Sequence, residues 1–447
     1  DKNMSWRGRL YDSKTDSSRY LDIAVPALIY NGTHVAGLTA HAIDKGDSLR
    51  FTAVVDTVTV NPLQLYTTTL QGGLKNNRLS ANFSTNDQNR KERYAFSITG
   101  SKQDDLYQVQ LADKLKLNYD NWQVNGKNNI LFGTRGINVE QFSISKGPEQ
   151  IQVNSSNKEL NAPLDVKINH FALHNITALY NTDSLQLDGY LNAAVRVADI
   201  DKNIPTLNGT IAVDSLQYQH IALGNINVQA TTTGSGSVTL AGSLTGYGNN
   251  VDLKGTYDQQ TINAQLNLNP IQFKTIEPFT QGNLAHSSGT LTGPINITGN
   301  VKNPEWNGSI RFDSAYTQLK QLGTALRIDG QTIELKYPNI NFNHFIIKDS
   351  TGHELVINGG LVQNSRQALS ADLSVKTTDF TVLHNSAVDN GMLYGNATIH
   401  ADVTISGPVT TPEISGSVGL KDGSNQPFLR QQPIASPNDS EGGSRVF

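Results

Sequence analysis

The chain has 447 residues, of which 37% are hydrophobic and 17% charged, and it contains 38 glycines and no cysteine. With 35 basic and 39 acidic residues the net charge is −4, which gives little support for binding to nucleic-acid phosphates. The lack of cysteine excludes disulfides and thiolate metal sites, and the composition is typical of neither a disordered chain nor a helical bundle.

Residues 1–157 show apolar residues at every second position, which is typical of strands with one apolar and one polar face. Examples are the triplets Leu21, Ile23, Val25; Phe51, Ala53, Val55; and Tyr94, Phe96, Ile98. Clusters such as Asn31-Gly32 and Lys75-Asn76-Asn77-Arg78 separate the runs and predict turns. The pattern predicts a β-rich N-terminal segment.

Residues 158–423 contain three copies of a degenerate repeat of about a hundred residues. Its clearest marker is a heptad with a proline, an apolar residue, and an Asn/Ser-Gly-Ser/Thr triplet. The three heptads are Pro205–Ile211, Pro304–Ile310 and Pro412–Val418. Upstream of each heptad lies a Gly-x-Leu start, at Gly189, Gly289 and Gly391. Further upstream lies an alternating run that begins at an alanine and ends at a phenylalanine: Ala162 to Phe171, Ala264 to Phe273 and Ala371 to Phe380.

Two interpretations of the heptads are open at this point. Glycine in a strand lets the backbone bend or approach closely, and proline suits the start of a strand. Alternatively, the heptads are turns between ordinary hairpins.

Little of the sequence is helical. Only Thr275 to Leu284 and Phe380 to Val388 could form one or two helical turns, and residues 424–447 lose the alternation and predict an irregular tail. The fold class is therefore predicted as all-β: an elongated, curved antiparallel sheet that forms a U-shaped trough with an apolar interior, in which residues 158–423 continue the sheet of residues 1–157.

A sheet with one apolar face must cover that face with helices, with another sheet, with itself, or with something that is not protein. Because helices are scarce, an open trough would present its apolar lining to an apolar ligand. The side chains that we expect in the lining are Ile262, Leu266, Leu268, Ile295, Ile297, Ile310, Phe312, Ile333 and Leu335. The alternative is that they form the core of a closed solenoid, and the sequence does not decide which strand parity faces inward.

Signals for catalysis and cofactors are weak. The segment Asp199 to Asn203 begins like a calcium loop, but Ile204 and Thr210 stand where glycine and glutamate are needed. Zinc-protease, nucleophile-elbow and phosphate-loop motifs are missing from the sequence. We predict a non-enzymatic protein with no cofactor and no metal.

The repeat resembles the AsmA-like superfamily, most closely its TamB-like family. The resemblance rests on the three heptads, on YQVQLADKLKLNYDNWQV from Tyr107 to Val124, and on the last copy, which begins at Gly391. It implies a β-taco in the periplasm, a helical inner-membrane anchor outside this chain, and a BamA-family barrel as the partner in the outer membrane. We therefore expect the chain to be a segment of a longer protein.

The resemblance also implies the function. TamB-like proteins are implicated in moving phospholipid between the inner and outer membranes and in outer-membrane protein assembly. We expect a hydrophobic groove that conducts phospholipid. The alternative, from a different class, is a structural or adhesive β-repeat scaffold with a closed, dry core.

Overall fold

The computed structural model describes residues 6–13, 18–60, 63–178, 186–202, 205–233, 236–258, 260–364, 368–386 and 394–424. The chain divides into two compact units. Unit 1 comprises Asp1–Asn269 and Asn296–Pro304, and unit 2 comprises Pro270–Ile295 and Glu305–Phe447. Each unit is described by itself.

The described residues form 29 strands, and every strand pairing in either unit is antiparallel. This confirms the prediction of an all-β antiparallel protein. The strands are β1 (Arg7–Asp12), β2 (Arg19–Tyr30), β3 (Thr33–Lys45), β4 (Ser48–Val60), β5 (Leu63–Lys75), β6 (Arg78–Asn86), β7 (Glu92–Gln103), β8 (Leu106–Leu117), β9 (Asp120–Val124), β10 (Asn129–Gly133), β11 (Gly136–Glu140), β12 (Phe142–Lys146), β13 (Glu149–Ser155), β14 (Leu164–Ala172), β15 (Leu187–Ala198), β16 (Thr206–Tyr218), β17 (Ile221–Thr232), β18 (Val238–Gly246), β19 (Asn249–Asp258), β20 (Thr261–Gln272), β21 (Leu284–Asn300), β22 (Asn303–Leu319), β23 (Thr324–Ile328), β24 (Thr332–Lys336), β25 (Asn339–Lys348), β26 (Glu354–Gln363), β27 (Leu369–Asn385), β28 (Gly395–Pro408) and β29 (Glu413–Leu420).

In unit 1, consecutive strands pair from β1 to β8 and again from β12 to β20. Between these runs the ladder branches. Strand β8 pairs with β10 near its start and with β9 near its end, and β9 then pairs with β12. In unit 2, the C-terminal half of β22 pairs with β23, and an earlier part of β22 pairs with β24. The strands from β24 to β29 then pair in order.

Helical structure is short. Helix α1 (His174–Thr177) follows β14, and α2 (Phe273–Ile276) follows β20 and leads into a 3-10 turn at Glu277–Thr280. The predicted helical turns near Thr275 are thus confirmed. The helix predicted from Phe380 is wrong, because β27 continues through a bulge as far as Asn385; residues 387–393 lie outside the described residues.

The heptad glycines lie inside strands, so the interpretation of the heptads as hairpin turns is wrong. Gly209 is the fourth residue of β16, and it faces the backbone of β15 so closely that a Cβ would lie 2.6 Å from the Cα of Val195. The other two heptads repeat this geometry. A Cβ at Gly308 would lie 2.9 Å from the Cα of Ile295, and a Cβ at Gly416 would lie 2.8 Å from the Cα of Val403. Each glycine therefore permits a close approach of two strands that no other residue permits.

The alanine and phenylalanine markers of the repeat are core residues. All six are buried, with exposed fractions between 3% and 8%: Ala162, Phe171, Ala264, Phe273, Ala371 and Phe380. Phe171 and Phe273 stand where the chain leaves a strand near a short helix, which explains why the alternation ends on an aromatic residue. The start of the third repeat at Gly391 lies outside the described residues.

Asparagine side chains complete the hydrogen bonding where strand register breaks. At three such breaks a residue with positive φ donates its backbone N–H to an asparagine side chain on the next strand. The pairs are His170 with Asn192 (2.8 Å), Ser215 with Asn225 (2.8 Å) and His344 with Asn358 (2.9 Å). This use of asparagine accounts for part of the unusual composition, because a bulge leaves a backbone donor without a ladder partner.

Replacing Gly209 by alanine is expected to destabilise unit 1 by about 1–3 kcal/mol, because the added methyl group would meet backbone atoms that cannot move aside. The matched control is Gly242→Ala on β18, where a Cβ would lie 3.6 Å or more from every neighbour. That change should be neutral or stabilise by up to about 1 kcal/mol. Urea denaturation followed by circular dichroism measures both; equal effects would contradict the close approach at Gly209.

Candidate functional site: an apolar sheet face

Side chains in β13 to β20 of unit 1 are aligned in rows that cross the strands, because paired residues point to the same side of a sheet. One row contains only aliphatic residues and a single glycine. Its members are Ile151, Ile168, Ala193, Ile211, Val228, Gly242, Leu253 and Leu266.

A second row lies two residues along each strand from the first, or three in β14, where a bulge separates Ile168 from Phe171. It is apolar throughout and reaches from the marker phenylalanine of β14 to β20: Phe171, Leu191, Val213, Ile226, Leu244, Val251 and Leu268. We call the surface formed by these two rows and their neighbours of the same parity the apolar face.

The opposite face of the same strands is polar. One of its rows, for example, consists of Asn154, Asp165, Arg196, Asn208, Thr231, Thr239, Thr256 and Asn263. Arg196 donates to both carboxylate oxygens of Asp165 at 2.9 and 3.0 Å on this face. The two faces thus differ in chemistry, and a shift of one residue in register would reverse them.

Protein covers the apolar face only in part. Buried clusters in unit 1 centre on Trp122 with Phe171 and on Leu216 with Leu223. Between them much of the face is half-buried, and Ile211 remains 43% exposed. An aliphatic surface of this extent that its own chain leaves partly uncovered is suited to contact with hydrocarbon.

Three of the predicted lining residues lie on this face in unit 1. Ile262, Leu266 and Leu268 share one side of β20, where Leu268 is buried and the other two are half-buried. Ile297, also in unit 1, is half-buried on β21.

The other predicted lining residues lie in unit 2. Ile310 of β22 pairs with Ile333 of β24, which pairs with Phe342, and all three pack with Phe312 against the cluster of Phe273, Leu291, Ala315, Ile328 and Phe345. Leu335 pairs with Gly308 of the second heptad. Ile295 lies on the same side of β21 as the buried Leu291, four residues away. The structure therefore brings Ile310, Phe312 and Ile333 together.

Several members of the apolar rows were not selected from the sequence. Val251 and Leu253 lie directly beside Leu268 and Leu266, and their alternation in β19 could have identified them. The sequence identified Ile211 only as the last residue of the first heptad. The strand register places it between Ala193 and Val228 in the first apolar row.

Two aromatic side chains place a polar atom on the apolar side of β7 and β9. Among the described residues, the Tyr94 hydroxyl and the Trp122 indole N–H are buried and make no hydrogen bond. Burial raises the pKa of Tyr94, against the effect of the neighbouring Arg93, so the hydroxyl keeps its proton at neutral pH. Neither donor has a protein acceptor in the described part of the chain.

The hairpin turn after β25 in unit 2 is fixed by a buried carboxylate. Asp349 is fully buried and accepts hydrogen bonds from the hydroxyl of Thr351 (2.7 Å) and from the backbone N–H groups of Thr351, His353 and Thr381 (2.9, 3.0 and 2.9 Å). Burial alone would raise its pKa, but these hydrogen bonds outweigh burial and hold the pKa well below its ordinary value. The carboxylate thus joins the turn to β27.

Neither a metal centre nor a spanning helix is found in the described part of the chain. No three histidine, aspartate or glutamate side chains there are grouped as metal ligands, and Asp199 binds Lys202 and Thr206 at 2.7 Å each. No described helix has the length and apolar character needed to cross a bilayer.

The fold and the site define the chain as an antiparallel β protein with an extensive, partly uncovered apolar face. A comparison with protein families adds that residues 343–441 match the model of the TamB C-terminal domain. This match supports the prediction from the repeat markers that the chain is TamB-like. The TamB family is an envelope-associated, non-enzymatic module involved in outer-membrane assembly together with TamA/BamA-related proteins. No curated protein and no solved structure matches the chain.

The Asp349→Asn variant should be less stable than the wild-type protein by about 1.5–3 kcal/mol, because it removes charge-assisted hydrogen bonds from a buried site. The depressed pKa means that this stabilisation is complete above the pKa of an unfolded aspartate, about 3.9, and is lost as the pH falls toward the folded value. Thermal unfolding at neutral and acidic pH measures both effects. The control is Asp402→Asn, whose ion pair with Lys376 is exposed and should contribute little.

Proposed function

We propose that this chain is a periplasmic segment that binds the acyl chains of phospholipids on its apolar face and conducts them between the inner and outer membranes. We further propose that it supports outer-membrane assembly with a BamA-family barrel as partner, and that the inner-membrane anchor belongs to a part of the protein outside this chain. The observation that carries the proposal is the pair of uninterrupted apolar rows across β14 to β20, which protein covers only in part.

The energetics favour hydrocarbon as the occupant. Transfer of one CH₂ group out of water contributes about 0.8 kcal/mol, so a dozen carbons of one acyl chain contribute roughly 10 kcal/mol before entropy costs. Because neighbouring row positions are nearly all aliphatic, a chain that slides from one strand to the next exchanges similar contacts. Such a face holds lipid without a deep local minimum, as conduction requires.

Polar contacts with the lipid would come from two donors on the apolar side of unit 1. The buried donors on Tyr94 and Trp122 suit the ester carbonyls of a glycerolipid, which accept but do not donate hydrogen bonds. Head groups would remain on the solvent side of the sheet edges.

The alternative is a scaffold with a closed, dry core. The aromatic cluster of unit 2, in which Phe312 packs edge-on against Phe273 and Phe345 at 6.1 and 5.6 Å between ring centroids, is the specific observation in its favour. On this alternative, Ile310 and Ile333 serve only to pack that cluster.

Site-specific photocrosslinking distinguishes the two functions. A photoreactive residue at Leu266, on the apolar face, is expected to crosslink to phospholipid in cells. The same residue at Gln265, the next position on the opposite face, is the matched control and should give none. Equal labelling at both positions, or none at Leu266, would contradict lipid binding on this face.

Lipid transfer provides a second test. Aspartate in place of Leu266 puts a charge among aliphatic side chains and is expected to slow phospholipid exchange between membranes severalfold, whereas Gln265→Asp should not. Circular dichroism verifies that both variants fold. Unchanged exchange by a folded Leu266→Asp protein would show that the lining does not matter for transport.

A further inference from the structure

The polar face of β3 to β8 in unit 1 carries a cluster of cations. The cross-strand register there aligns one row of basic and neutral side chains: Lys45, Ser48, Lys75, Arg78, Ser101 and Gln108. The adjacent row on the same face is Arg50, Gly73, Ser80, Thr99 and Gln110. We call the surface formed by Arg50, Lys75 and Arg78 and the neutral side chains between them the basic patch.

The basic patch is concave. Two depressions, with volumes of about 430 and 750 Å³, share Arg78 and Ser80 and so lie next to each other. Gly73 lies in its floor, with no side chain to fill the space between Arg50 and Lys75. The polar part of the remaining lining consists of hydroxyl and amide side chains, beside Leu49, Leu74, Leu79 and Gly100. No aspartate or glutamate lines either depression.

In the described part of the chain, the cations of the patch are not neutralised by ion pairs, whereas several others are. Ion pairs elsewhere include Lys116 with Glu92 at 2.7 Å and Arg196 with Asp165 at 2.9 Å. Within the described residues, Arg50, Lys75 and Arg78 have no acidic partner within 4 Å.

The register adds a second, independent observation. Lys75 and Arg78 are directly opposite each other in β5 and β6, next to the hairpin turn of Asn76 and Asn77. Like charges in opposite positions destabilise a strand pair. An anion between the two side chains would remove that repulsion, since it could accept hydrogen bonds from both.

We propose that the basic patch binds a ligand that carries two or more phosphate groups. Arg50 and Arg78 are separated by two strand spacings and about two residues, which places their Cα atoms roughly 12 Å apart. One phosphate would lie between Lys75 and Arg78, and a second would reach Arg50. Guanidinium groups suit this role because they bind phosphate oxygens in pairs, and the hydroxyl and amide groups of the lining can bind those that remain.

The patch lies on β4 to β6, whereas the apolar face of unit 1 lies on β13 to β20, so the patch is separate from that lipid lining. The phosphates could belong to a soluble oligophosphate or to a lipid head group. The proposal does not rest on lipid conduction, and failure of one would leave the other standing.

Binding by the full chain is measured with two probes at low and physiological ionic strength. The soluble probe is tripolyphosphate, followed by calorimetry. The lipid probe is phosphatidylcholine vesicles with a minority of cardiolipin, which has two phosphates per head group, followed by co-sedimentation. The test variant is Arg50→Gln, Lys75→Gln, Arg78→Gln. The control, Lys167→Gln, Lys254→Gln, Lys336→Gln, changes the net charge equally at exposed strand positions outside the patch.

The proposal predicts that at least one probe binds, that the patch variant weakens that binding roughly tenfold or more, and that the control leaves it nearly unchanged. Binding of tripolyphosphate identifies a site for the phosphates themselves, and binding of the vesicles alone identifies a head-group site. If tripolyphosphate binds, it should also raise the melting temperature of the wild type more than that of the patch variant. Failure of both probes to bind, or equal weakening in both variants, would overturn the proposal.

Discussion

The structure depends on the burial of one face of an antiparallel sheet that has few helices to cover it. In unit 1, two rows of predominantly aliphatic residues cross β14 to β20 on one side, while the other side carries asparagine, threonine and paired charges. A soluble sheet normally packs its apolar side against another layer. The described residues supply only α1, α2 and a 3-10 turn as helical cover, together with aromatic clusters. The uncovered part of the face is the physical reason to expect a hydrocarbon ligand.

The residues that mark the repeat keep the strands closely packed and contribute apolar side chains to the core. Its glycine removes a side chain where two backbones meet, its alanine and phenylalanine are buried, and its proline stands at or next to a strand start where no ladder donor is required. Asparagine side chains then supply acceptors where the register breaks, as Asn192 does for His170 and Asn225 for Ser215. Glycine and asparagine thus have separate tasks: one permits close approach, and the other compensates for the bulges.

Period-two alternation was sufficient to predict the fold class and the strands. It placed Leu21, Ile23 and Val25 in β2, and Ile262, Leu266 and Leu268 on one side of β20. The sequence did not predict the cross-strand register. The register depends on bulges such as that between Val213 and Leu216, which the local sequence does not reveal. The row through Ile211 and the opposition of Lys75 and Arg78 therefore emerged only from the structure. The wrong helix at Phe380 shows a similar limit, since a bulge inside a strand breaks the alternation as a helix would.

Lipid content is the most direct measure of the central claim that hydrocarbon covers the exposed part of the apolar face. The chain should be purified from the bacterial envelope without detergent, analysed by native mass spectrometry, and extracted for phospholipid. The account predicts adducts with the mass of phospholipid on the folded chain and recovery of the same lipid by extraction. A folded chain that carries no phospholipid, and that takes up none from vesicles, would contradict it.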